Sequence, residues 1–522
     1  MRTFQECTEF VAELESRFPV NDWAFENTKI WPFIRTVLFY RLSLSLRGLE
    51  TRVTAFERLK SRLKRSHVLF DCFTAPFRDP RQNAPQFDPA EVFVLTYAGA
   101  RQARLNGQHF DIRSGPLIEE LRRCRIRSLV WEFSNPLSYR LPRSNPTYLV
   151  QRDLFLSQIG QLLSPRSLRN ANLLGYREFC DHLRARKEFY SDLDASSLAR
   201  SFGDILTLRD RFERALERID PALVLTSNVG RYEFALHLAC HRRGIPSIEL
   251  QHGVQGPIHG QYAQWTRVPA EGYDLLPYGY WSWDPESAEA INSWSAGCAP
   301  RHHARVGGIP WLDYSRTIRL EEFPPPLVSA LREDEGRRRV LVTLQPPDKI
   351  YTDARQLPNF VLEAMARMDR SWIWWIRFHP AMAPDRTALN KELGRHGISA
   401  EFEVANELPL YTLLQRADLH ITHSSSAVLD ADHFGVRSVV WSKLGADLFP
   451  ASIRSGSCVL ALDEPELSGA MSRMMSAGRQ ERPAHSAPYP STLQALIDLG
   501  RQMRSAARQG LAPSLKGSND AG

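Results

Sequence analysis

Cysteine is scarce in this sequence, and the few cysteines are widely spaced. The 522 residues contain seven cysteines, an odd number, and none of them forms a C-x-x-C pair. Neither a disulfide framework nor a zinc site is therefore indicated, and a reducing cytoplasm is the compartment that fits best. The seven residues are Cys7, Cys72, Cys124, Cys180, Cys240, Cys298 and Cys458.

The sequence also lacks long apolar runs. Its opening, MRTFQECTEF, has no basic start followed by an apolar core, so we expect no signal peptide. No uninterrupted apolar stretch approaches the ~18–20 residues that a membrane-spanning helix needs. We therefore predict a cytoplasmic protein, with peripheral association at the inner face of a membrane left open.

Several common catalytic signatures are absent as well. The sequence contains no G-x-x-x-x-G-K-S/T, G-x-G-x-x-G, H-E-x-x-H or G-x-S-x-G motif. Kinase-like use of ATP, redox chemistry with a dinucleotide and serine hydrolysis therefore lose their usual sequence support. The excess of positive charge is small, with 66 Lys and Arg against 59 Asp and Glu. It favours an anionic partner such as a nucleotide or a phospholipid surface, but no motif supports nucleic-acid binding.

The first 80 residues are predicted to form a helical extension. The segment 30–46, IWPFIRTVLFYRLSLSL, is strongly apolar but carries Arg35 and Arg41, and a basic stretch follows at 52–65. An interfacial helix with a basic flank would bind anionic lipid in this way. The alternative, which we favour slightly, is a helix packed on the protein's own surface with its arginines reaching out to solvent.

From residue 88 the pattern changes to alternating strands and helices, which predicts a first α/β domain over 88–310. Its predicted strands are 91–99, 126–133, 221–227 and 245–253. Strands that alternate with helices at this spacing indicate a parallel sheet covered by helices. A mostly helical insertion is predicted at 151–219, and the helix before the last strand should end at Gly244, ahead of Pro246.

A second α/β domain is predicted over 337–475. Its predicted strands are 337–347, 371–380, 417–422 and 437–441. Residues 311–336 are predicted to be a hinge, and residues 476–522 a partly disordered tail. The predicted fold class is therefore α/β, with two facing Rossmann-like domains and an N-terminal helical extension. Ligands bind at the carboxyl ends of the strands in such sheets, so we expect a common cleft there.

Three serines follow one of the strands of the second domain. The segment ITHSSSAVLD (421–430) predicts a turn into a helix that begins near Ser426. Free N–H groups at a helix start, together with serine hydroxyls, form a site for a diphosphate or phosphodiester. Asp430, one turn further on, could accept hydrogen bonds from ribose hydroxyls. A purely structural role of Ser425 or Ser426 as a helix cap is the alternative.

A second polar group ends the neighbouring strand, at IRFHP (376–380). Pro380 stops the strand and leaves His379, with Arg377 before it, beside the cleft. A histidine there can donate a hydrogen bond to a phosphate oxygen or a pyrimidine carbonyl. Taken alone, such a histidine is more often structural, so its placement next to the serine turn carries the prediction.

The first domain contributes a histidine from LQHGVQGPIHG (250–260). His252 follows a strand end and would lie across the cleft from the second domain, where its imidazole could accept the proton of an acceptor hydroxyl. We predict that Gln251, Gly253 and His259 belong to the acceptor-site loop, whose three glycines leave room for a substrate. A turn whose histidine only contacts backbone is the alternative.

Three further features are assigned structural roles. The D-x-D in SDLDA (191–195) lies in the helical insertion and has no strand end beside it, so we predict no metal site there. EDEG (333–336) resembles an acidic motif of bacterial polysialyltransferases but lies in the predicted hinge, which favours a solvated charge run. The tryptophans Trp372, Trp374 and Trp375 predict core packing.

These motifs together resemble the GT-B class of bacterial surface-glycan transferases. ITHSSSAVLD is similar to the T-D-Y-S-S-x-x-x-D segment of CDP-glycerol glycerophosphotransferases. Thr422, Ser425, Ser426 and Asp430 are in register with it, whereas His423 and Ser424 stand where that family has Asp and Tyr. RFHP resembles the HP motif of those enzymes and of bacterial sialyl- and Kdo-transferases. LQHG resembles the histidine-glycine motif of the first domain, which is W-H-G in the teichoic-acid enzymes, with Gln251 in place of the tryptophan.

The resemblance implies a function and a division of labour. The second domain would bind a cytidine-linked donor through His379, Pro380 and the serine turn, and His252 would be the catalytic histidine, with no required metal and no further cofactor. The chain would extend a capsule polysaccharide, a lipopolysaccharide or another lipid-linked glycan. A UDP-sugar 2-epimerase of the same architecture and a non-catalytic assembly protein at the membrane surface remain alternatives.

Overall fold

The structure, a computed structural model, describes the chain in ranges separated by short gaps. These ranges are 3–46, 74, 87–134, 139–152, 154, 171–188, 190–298, 300–333, 335–345, 357–379, 382, 386–481 and 489–509. Within them the chain forms two parallel β-sheets, each with apolar side chains packed on both of its faces. This confirms the predicted fold class, α/β with two facing Rossmann-like domains of GT-B type.

Two N-terminal helices enclose a short hairpin. These elements are α1 (Phe4–Arg17), β1 (Ala24–Phe25), β2 (Thr28–Lys29) and α2 (Trp31–Leu46). The side chain of Thr3 accepts a hydrogen bond from the N–H of Glu6, which caps the start of α1. The apolar side chains of both helices belong to the core of the first domain. Residues 3–46 are therefore helical, as expected, but they pack into the first domain, and Arg35 is fully buried rather than directed to solvent. The basic stretch 52–65 lies outside the described residues.

The first sheet has seven parallel strands. The strands that follow the N-terminal segment are β3 (Val92–Tyr97), β4 (Ala103–Leu105), β5 (Gln108–Phe110), β6 (Ser128–Phe133), β7 (Tyr148–Leu149), β8 (Leu223–Thr226), β9 (Ser247–Leu250), β10 (Gly279–Ser282) and β11 (His303–Val306). Their order in the sheet is β11-β10-β9-β8-β3-β6-β7, while β4 and β5 form a separate antiparallel hairpin. The sequence did not predict β10 and β11, because their segments, GYWS and HARV, are short and partly polar.

Helices cover both faces of this sheet. They are α3 (Gly115–Arg123), α4 (Tyr176–Ala185), α5 (Ala195–Ile219), α6 (Arg231–Arg243) and α7 (Pro285–Ser295). Asp194 begins α5 by accepting hydrogen bonds from the N–H groups of Ser196 and Ser197 at 2.9 and 3.0 Å. Helix α6 ends at Gly244, whose φ of 66° is in the left-handed region, as the sequence predicted.

The predicted hinge is folded. Residues 311–336 contain most of α8 (Pro310–Thr317) and α9 (Pro325–Glu333). Trp311 and Leu331 from these helices pack in one apolar cluster with Leu341 and Trp375 of the second sheet. Residues 311–336 are therefore folded, and the apolar faces of both helices cover the second sheet.

The second sheet has six parallel strands in the order β14-β13-β12-β15-β16-β17. They are β12 (Arg339–Thr343), β13 (Ile373–Arg377), β14 (Ala400–Glu401), β15 (Leu419–Thr422), β16 (Ser438–Val440) and β17 (Cys458–Leu460). The helices are α10 (Asn359–Arg367), α11 (Arg386–Arg395), α12 (Glu403–Glu407), α13 (Leu410–Leu414), α14 (Ala427–His433), α15 (Lys443–Leu448), α16 (Pro450–Arg454) and α17 (Glu464–Ala477). Trp374 and Trp375 are buried in the core, as predicted.

The chain then returns to the first domain. Helix α18 (Tyr489–Arg508) buries Leu493, Leu496 and Ile497 against the first sheet, where the sequence predicted a tail. The approach is close at Gly500, where an added Cβ would lie 2.0 Å from the carbonyl oxygen of Ala222. None of the helices in the described ranges is long and apolar enough to cross a membrane.

Candidate functional site

A cavity of about 420 Å³ lies between the two sheets, at the carboxyl ends of their strands. On the first domain it is lined by residues at or just beyond the ends of β3, β9 and β10. On the second domain it is lined by residues at the ends of β12 and β13 and by the turn after β15. Six strand ends therefore meet here, which is where parallel α/β sheets bind ligands.

His252 lines this cavity from the first domain. Its Nδ1 lies 3.4 Å from the carbonyl oxygen of Leu250. A carbonyl only accepts hydrogen bonds, so Nδ1 carries the proton and Nε2 is left as the basic nitrogen. Burial, together with the positive charge of Arg113, lowers the pKa of His252 to about 3. The ring is therefore neutral throughout the physiological range of pH.

The other predicted residues of the acceptor-site loop have different positions. Gln251 lines the cavity, and its buried side chain also holds the loop: it accepts from the N–H of Trp283 at 2.6 Å and donates to the carbonyl of Gly253 at 3.0 Å. An added Cβ at Gly253 would meet nothing within 4 Å, so packing does not require a glycine there. His259 does not line the cavity, because its ring packs 4.9 Å from that of Phe39 on α2. The structure therefore does not bring His259 together with His252 at the cavity.

The rest of this loop is fixed by the N-terminal helices. Thr8 on α1 donates a hydrogen bond to the carbonyl of Ile258 at 2.6 Å. Arg35 on α2 donates to the carbonyls of Gly260 and Ala263, both at 2.7 Å. Arg35 also forms an ion pair with Glu15, and neither side chain is exposed. The two helices thus hold the segment that follows His252.

On the second domain, Ser425 and Ser426 line the cavity. The N–H of Ser425 donates to the hydroxyl of Thr422 at 3.3 Å, and its own hydroxyl accepts from the N–H of Ala427 at 3.3 Å. The side chain of Ser426 makes no capping hydrogen bond to α14. Helix α14 has only seven residues, so a phosphate site here would depend on the serine hydroxyls more than on the helix start.

His423 and Ser424 lie behind this turn. Neither lines the cavity, and the ring of His423 is hydrogen-bonded to the hydroxyl of Ser424 at 2.8 Å. The carbonyl of His423 accepts from the hydroxyl of Ser442 at 2.7 Å. The structure therefore does not bring these two side chains to the cavity; both shape the turn that presents Ser425 and Ser426.

Asp430 lines the cavity one helical turn beyond the serines. Its carboxylate accepts a hydrogen bond from the hydroxyl of Tyr411 at 2.6 Å. Burial raises the pKa of Asp430 to about 6, and the hydrogen bond from Tyr411 opposes this shift. Asp430 is thus an acceptor whose charge changes close to neutral pH.

The residues of the strand end IRFHP have two different roles. His379 lines the cavity. Arg377 borders it as well, but its Nη1 donates to the carbonyls of Ala405 and Leu408 at 2.6 and 2.7 Å, which ties β13 to the end of α12. Burial lowers the pKa of Arg377 to about 10. Arg377 is therefore mainly a structural residue, and Pro380 lies outside the described residues.

The part of the cavity lining that belongs to the first domain, called the first-domain wall below, includes Arg113, which sequence reasoning missed. Sequence reasoning also missed Tyr97, Trp283 and Trp311, which supply aromatic surface to the same cavity. None of them belongs to a motif. Tyr97 alone had a sequence signal, since it lies near the end of the predicted strand 91–99.

Metal-binding side chains are not gathered at any point of the described ranges: no three of His, Cys, Asp and Glu are arranged to hold a metal ion. In SDLDA, Asp192 accepts from Arg41 at 2.9 Å and Asp194 caps α5. Both carboxylates of the D-x-D are therefore engaged in the fold.

No known protein-family model matches the chain, and no curated protein matches it. Among solved structures, a UDP-GlcNAc 2-epimerase from Methanocaldococcus jannaschii is 11% identical, covers 78% of this chain and 99% of its own, and has a TM-score of 0.47. The enzyme from Neisseria meningitidis, bound to UDP-GlcNAc, is 13% identical, with the same coverage and a TM-score of 0.45. A spinosyn rhamnosyltransferase is 13% identical over 80% of this chain and 99% of its own, with a TM-score of 0.36. Similarities at this level carry no argument about the reaction, and the fold assignment rests on the two sheets themselves.

Proposed function

We propose that the chain is a glycosyltransferase that moves a sugar, or a glycerol-phosphate-like group, from a nucleotide-activated donor to a growing cell-surface polysaccharide or lipid-linked glycan. One observation carries the proposal. His252 from the first domain lines the same cavity as His379, Ser425, Ser426 and Asp430 from the second. A basic nitrogen and a set of phosphate donors therefore flank one space, as transfer from a nucleotide requires.

The second-domain wall would hold the donor. The imidazole of His379 and the hydroxyls of Ser425 and Ser426 can donate hydrogen bonds to phosphate oxygens. As the bond to the transferred group breaks, negative charge grows on the leaving phosphate, and donors fixed in advance stabilise that charge. Asp430 would accept hydrogen bonds from ribose hydroxyls. The resemblance to cytidine-nucleotide enzymes supports a CMP- or CDP-linked donor, with no metal needed.

The first-domain wall would hold the acceptor. As the acceptor hydroxyl attacks the donor, Nε2 of His252 takes its proton, and the nucleotide departs with the electron pair of the broken bond. A pKa of about 3 makes the free imidazole a weak base. The negative phosphates of a bound donor would raise that pKa, so His252 would be a stronger base when a donor is present.

In this proposal, the acceptor implies that the enzyme works at the cytoplasmic side of a membrane. Capsule polysaccharide and lipopolysaccharide are the glycan classes that the resemblance suggests. The wall near His252 also has apolar surface, from Leu250, Trp281 and Trp283. Such surface suits the body of a saccharide or the start of a lipid carrier.

A turnover assay tests the proposal against its alternatives. The full chain is incubated with CMP-, CDP- and UDP-linked donors, with and without a bacterial surface-glycan fraction, and nucleotide release is measured. We expect release that depends on the glycan. An altered nucleotide sugar formed without any acceptor would favour a UDP-sugar 2-epimerase instead. A chain that neither releases nor binds any nucleotide would be a non-catalytic assembly protein.

The affinity for a ribonucleotide should fall as the pH is lowered through the pKa of Asp430, about 6. Above that pH the carboxylate accepts hydrogen bonds from the ribose; below it the group is protonated and one acceptor is lost. We expect CMP to bind about tenfold more weakly below this pH, the size of one charge-assisted hydrogen bond. Calorimetric titration across this range measures the effect.

The Asp430→Asn variant is the control for this prediction. It lacks the titrating group, so it should bind CMP weakly at all pH values and retain only the pH dependence of the CMP phosphate itself. Equal pH dependence in the variant and the natural chain would show that Asp430 does not contact the nucleotide.

A further inference from the structure

Arg113 is placed on the first-domain wall by a rigid polar turn. Asp111 accepts hydrogen bonds from the N–H of Arg113 at 2.8 Å and from the hydroxyls of Thr96 and Ser114 at 2.7 and 2.6 Å. Asp111 itself is buried. Its carboxylate thus fixes the backbone from which the side chain of Arg113 projects to the cavity.

The guanidinium of Arg113 is held on two further sides. Its Nη1 donates to the carbonyl of Ser227 at 2.5 Å, and its Cζ lies 4.8 Å from the centroid of the Tyr97 ring. An added Cβ at Gly99 would lie 2.3 Å from Cε2 of Tyr97, so only glycine leaves room for that ring position. The cation is therefore oriented in advance, which lowers the entropy lost when it binds a ligand.

No carboxylate among the described residues forms an ion pair with this guanidinium, and its only side-chain hydrogen bond there goes to a backbone carbonyl. Glu233 also acts on it electrostatically, but burial raises the pKa of Glu233 to about 7, so it is only partly charged at neutral pH. A half-buried arginine that borders a cavity without a full counter-charge is a site for an anion.

We propose that Arg113 binds the acidic group, a carboxylate or a phosphate ester, of a saccharide substrate that lies against the first-domain wall. The inference rests on the proposed function and deepens it, because it names the class of saccharide. The nucleotide phosphates belong to the opposite wall, at His379 and Ser425. The anion at Arg113 is therefore a second one, carried by the acceptor glycan or by the transferred sugar.

An anion bound at Arg113 would also affect the basicity of His252. Burial lowers the pKa of His252 most; Arg113 and His259 lower it further, while the carbonyl of Leu250 opposes them. An anion bound to Arg113 would offset its positive charge. An acidic saccharide would thus make His252 a stronger base than a neutral saccharide does.

The experiment compares the full chain with Arg113→Gln, Arg113→Lys and Arg243→Gln. Arg243 is exposed at the C-terminal end of α6 and does not line the cavity, so its variant removes the same charge away from the proposed site. The probes are D-glucuronate, D-glucose and inorganic phosphate, each titrated with and without CMP and followed by the thermal midpoint. We expect D-glucuronate and phosphate, but not D-glucose, to stabilise the natural chain and Arg243→Gln. Arg113→Gln should need at least about tenfold more of either anion, and Arg113→Lys should be intermediate.

A second pair of probes, CMP and CMP-N-acetylneuraminate, distinguishes an anion carried by the transferred sugar from one carried by the acceptor. A loss confined to CMP-N-acetylneuraminate in Arg113→Gln assigns the anion to the transferred sugar. A loss confined to D-glucuronate in the presence of CMP assigns it to the acceptor. The proposal is overturned if neither anion stabilises the natural chain, if Arg113→Gln responds equally, or if it loses CMP affinity by the same factor. Failure of CMP, CDP and UDP to bind at all would instead reject the proposed function.

Discussion

Replacing His252 by alanine should lower turnover by about a hundredfold to ten-thousandfold, the usual contribution of a general base. The affinity for CMP should change by less than about twofold, because the nucleotide lies on the second-domain wall. The loss of turnover is expected because, in the described ranges, no other side chain on the first-domain wall offers an unprotonated nitrogen next to the cavity. Initial rates of nucleotide release and a calorimetric CMP titration measure the two quantities.

His303→Ala is the matched control for this variant. His303 is exposed on the edge strand β11 of the same domain and does not line the cavity. It should leave both turnover and CMP affinity unchanged. If His252→Ala retained its turnover and lost CMP affinity instead, the roles given to the two walls would have to be exchanged.

Replacing Arg35 by methionine should destabilise the fold by about 3–5 kcal/mol, because it leaves Glu15 charged and buried without its partner. It also leaves the carbonyls of Gly260 and Ala263 without their donor. Chemical unfolding of the full chain measures the loss. Because these carbonyls belong to the segment that follows His252, we also expect a lower kcat at temperatures where the variant is still folded.

Two further variants separate the buried charge from general damage. Glu15→Leu combined with Arg35→Met removes both charges, and it should be less destabilising than Arg35→Met alone. Arg122→Met breaks an exposed ion pair with Glu119 on α3 and should change stability little. A double variant at least as unstable as Arg35→Met would show that the lost packing and hydrogen bonds, not the unpaired Glu15, cause the destabilisation.

The strand ends were the part of the site that the sequence could predict. A short apolar run that stops at His-Pro or at three serines marks a strand and its end by composition alone. Parallel sheets place all such ends on one edge, so His379 and Ser425 could be brought together without a structure. The same reasoning placed His252 on the opposite wall.

The side chains that surround these ends could not be predicted in the same way. Whether His252 or His259 reaches the cavity depends on how the loop packs against Phe39, which lies more than two hundred residues earlier in the chain. Arg35 could not be assigned to the core without knowing that Glu15 and two loop carbonyls would satisfy it. Arg113 follows no motif, and its guanidinium is held at the cavity by tertiary contacts with Ser227 and Tyr97.

The return of the chain to the first domain could not be predicted from the sequence either. The sequence around α18 is rich in small and polar residues, and only Leu493, Leu496 and Ile497 form its apolar stripe. A stripe of this kind does not say which sheet it will cover. Its partner is fixed by shape, since Gly500 lets the helix approach the carbonyl of Ala222 closely.

If the cavity is a nucleotide-donor site, the full chain should bind a nucleotide there. Thermal midpoints are measured with CMP, CDP and UDP for the natural chain and for His379→Ala, Ser425→Ala and Ser472→Ala. We predict that a cytidine nucleotide raises the midpoint and that His379→Ala and Ser425→Ala each weaken its binding by about tenfold. Ser472→Ala, which is exposed on α17 and away from the cavity, should bind normally. If none of the three nucleotides changed the midpoint, the cavity would not be a nucleotide-donor site.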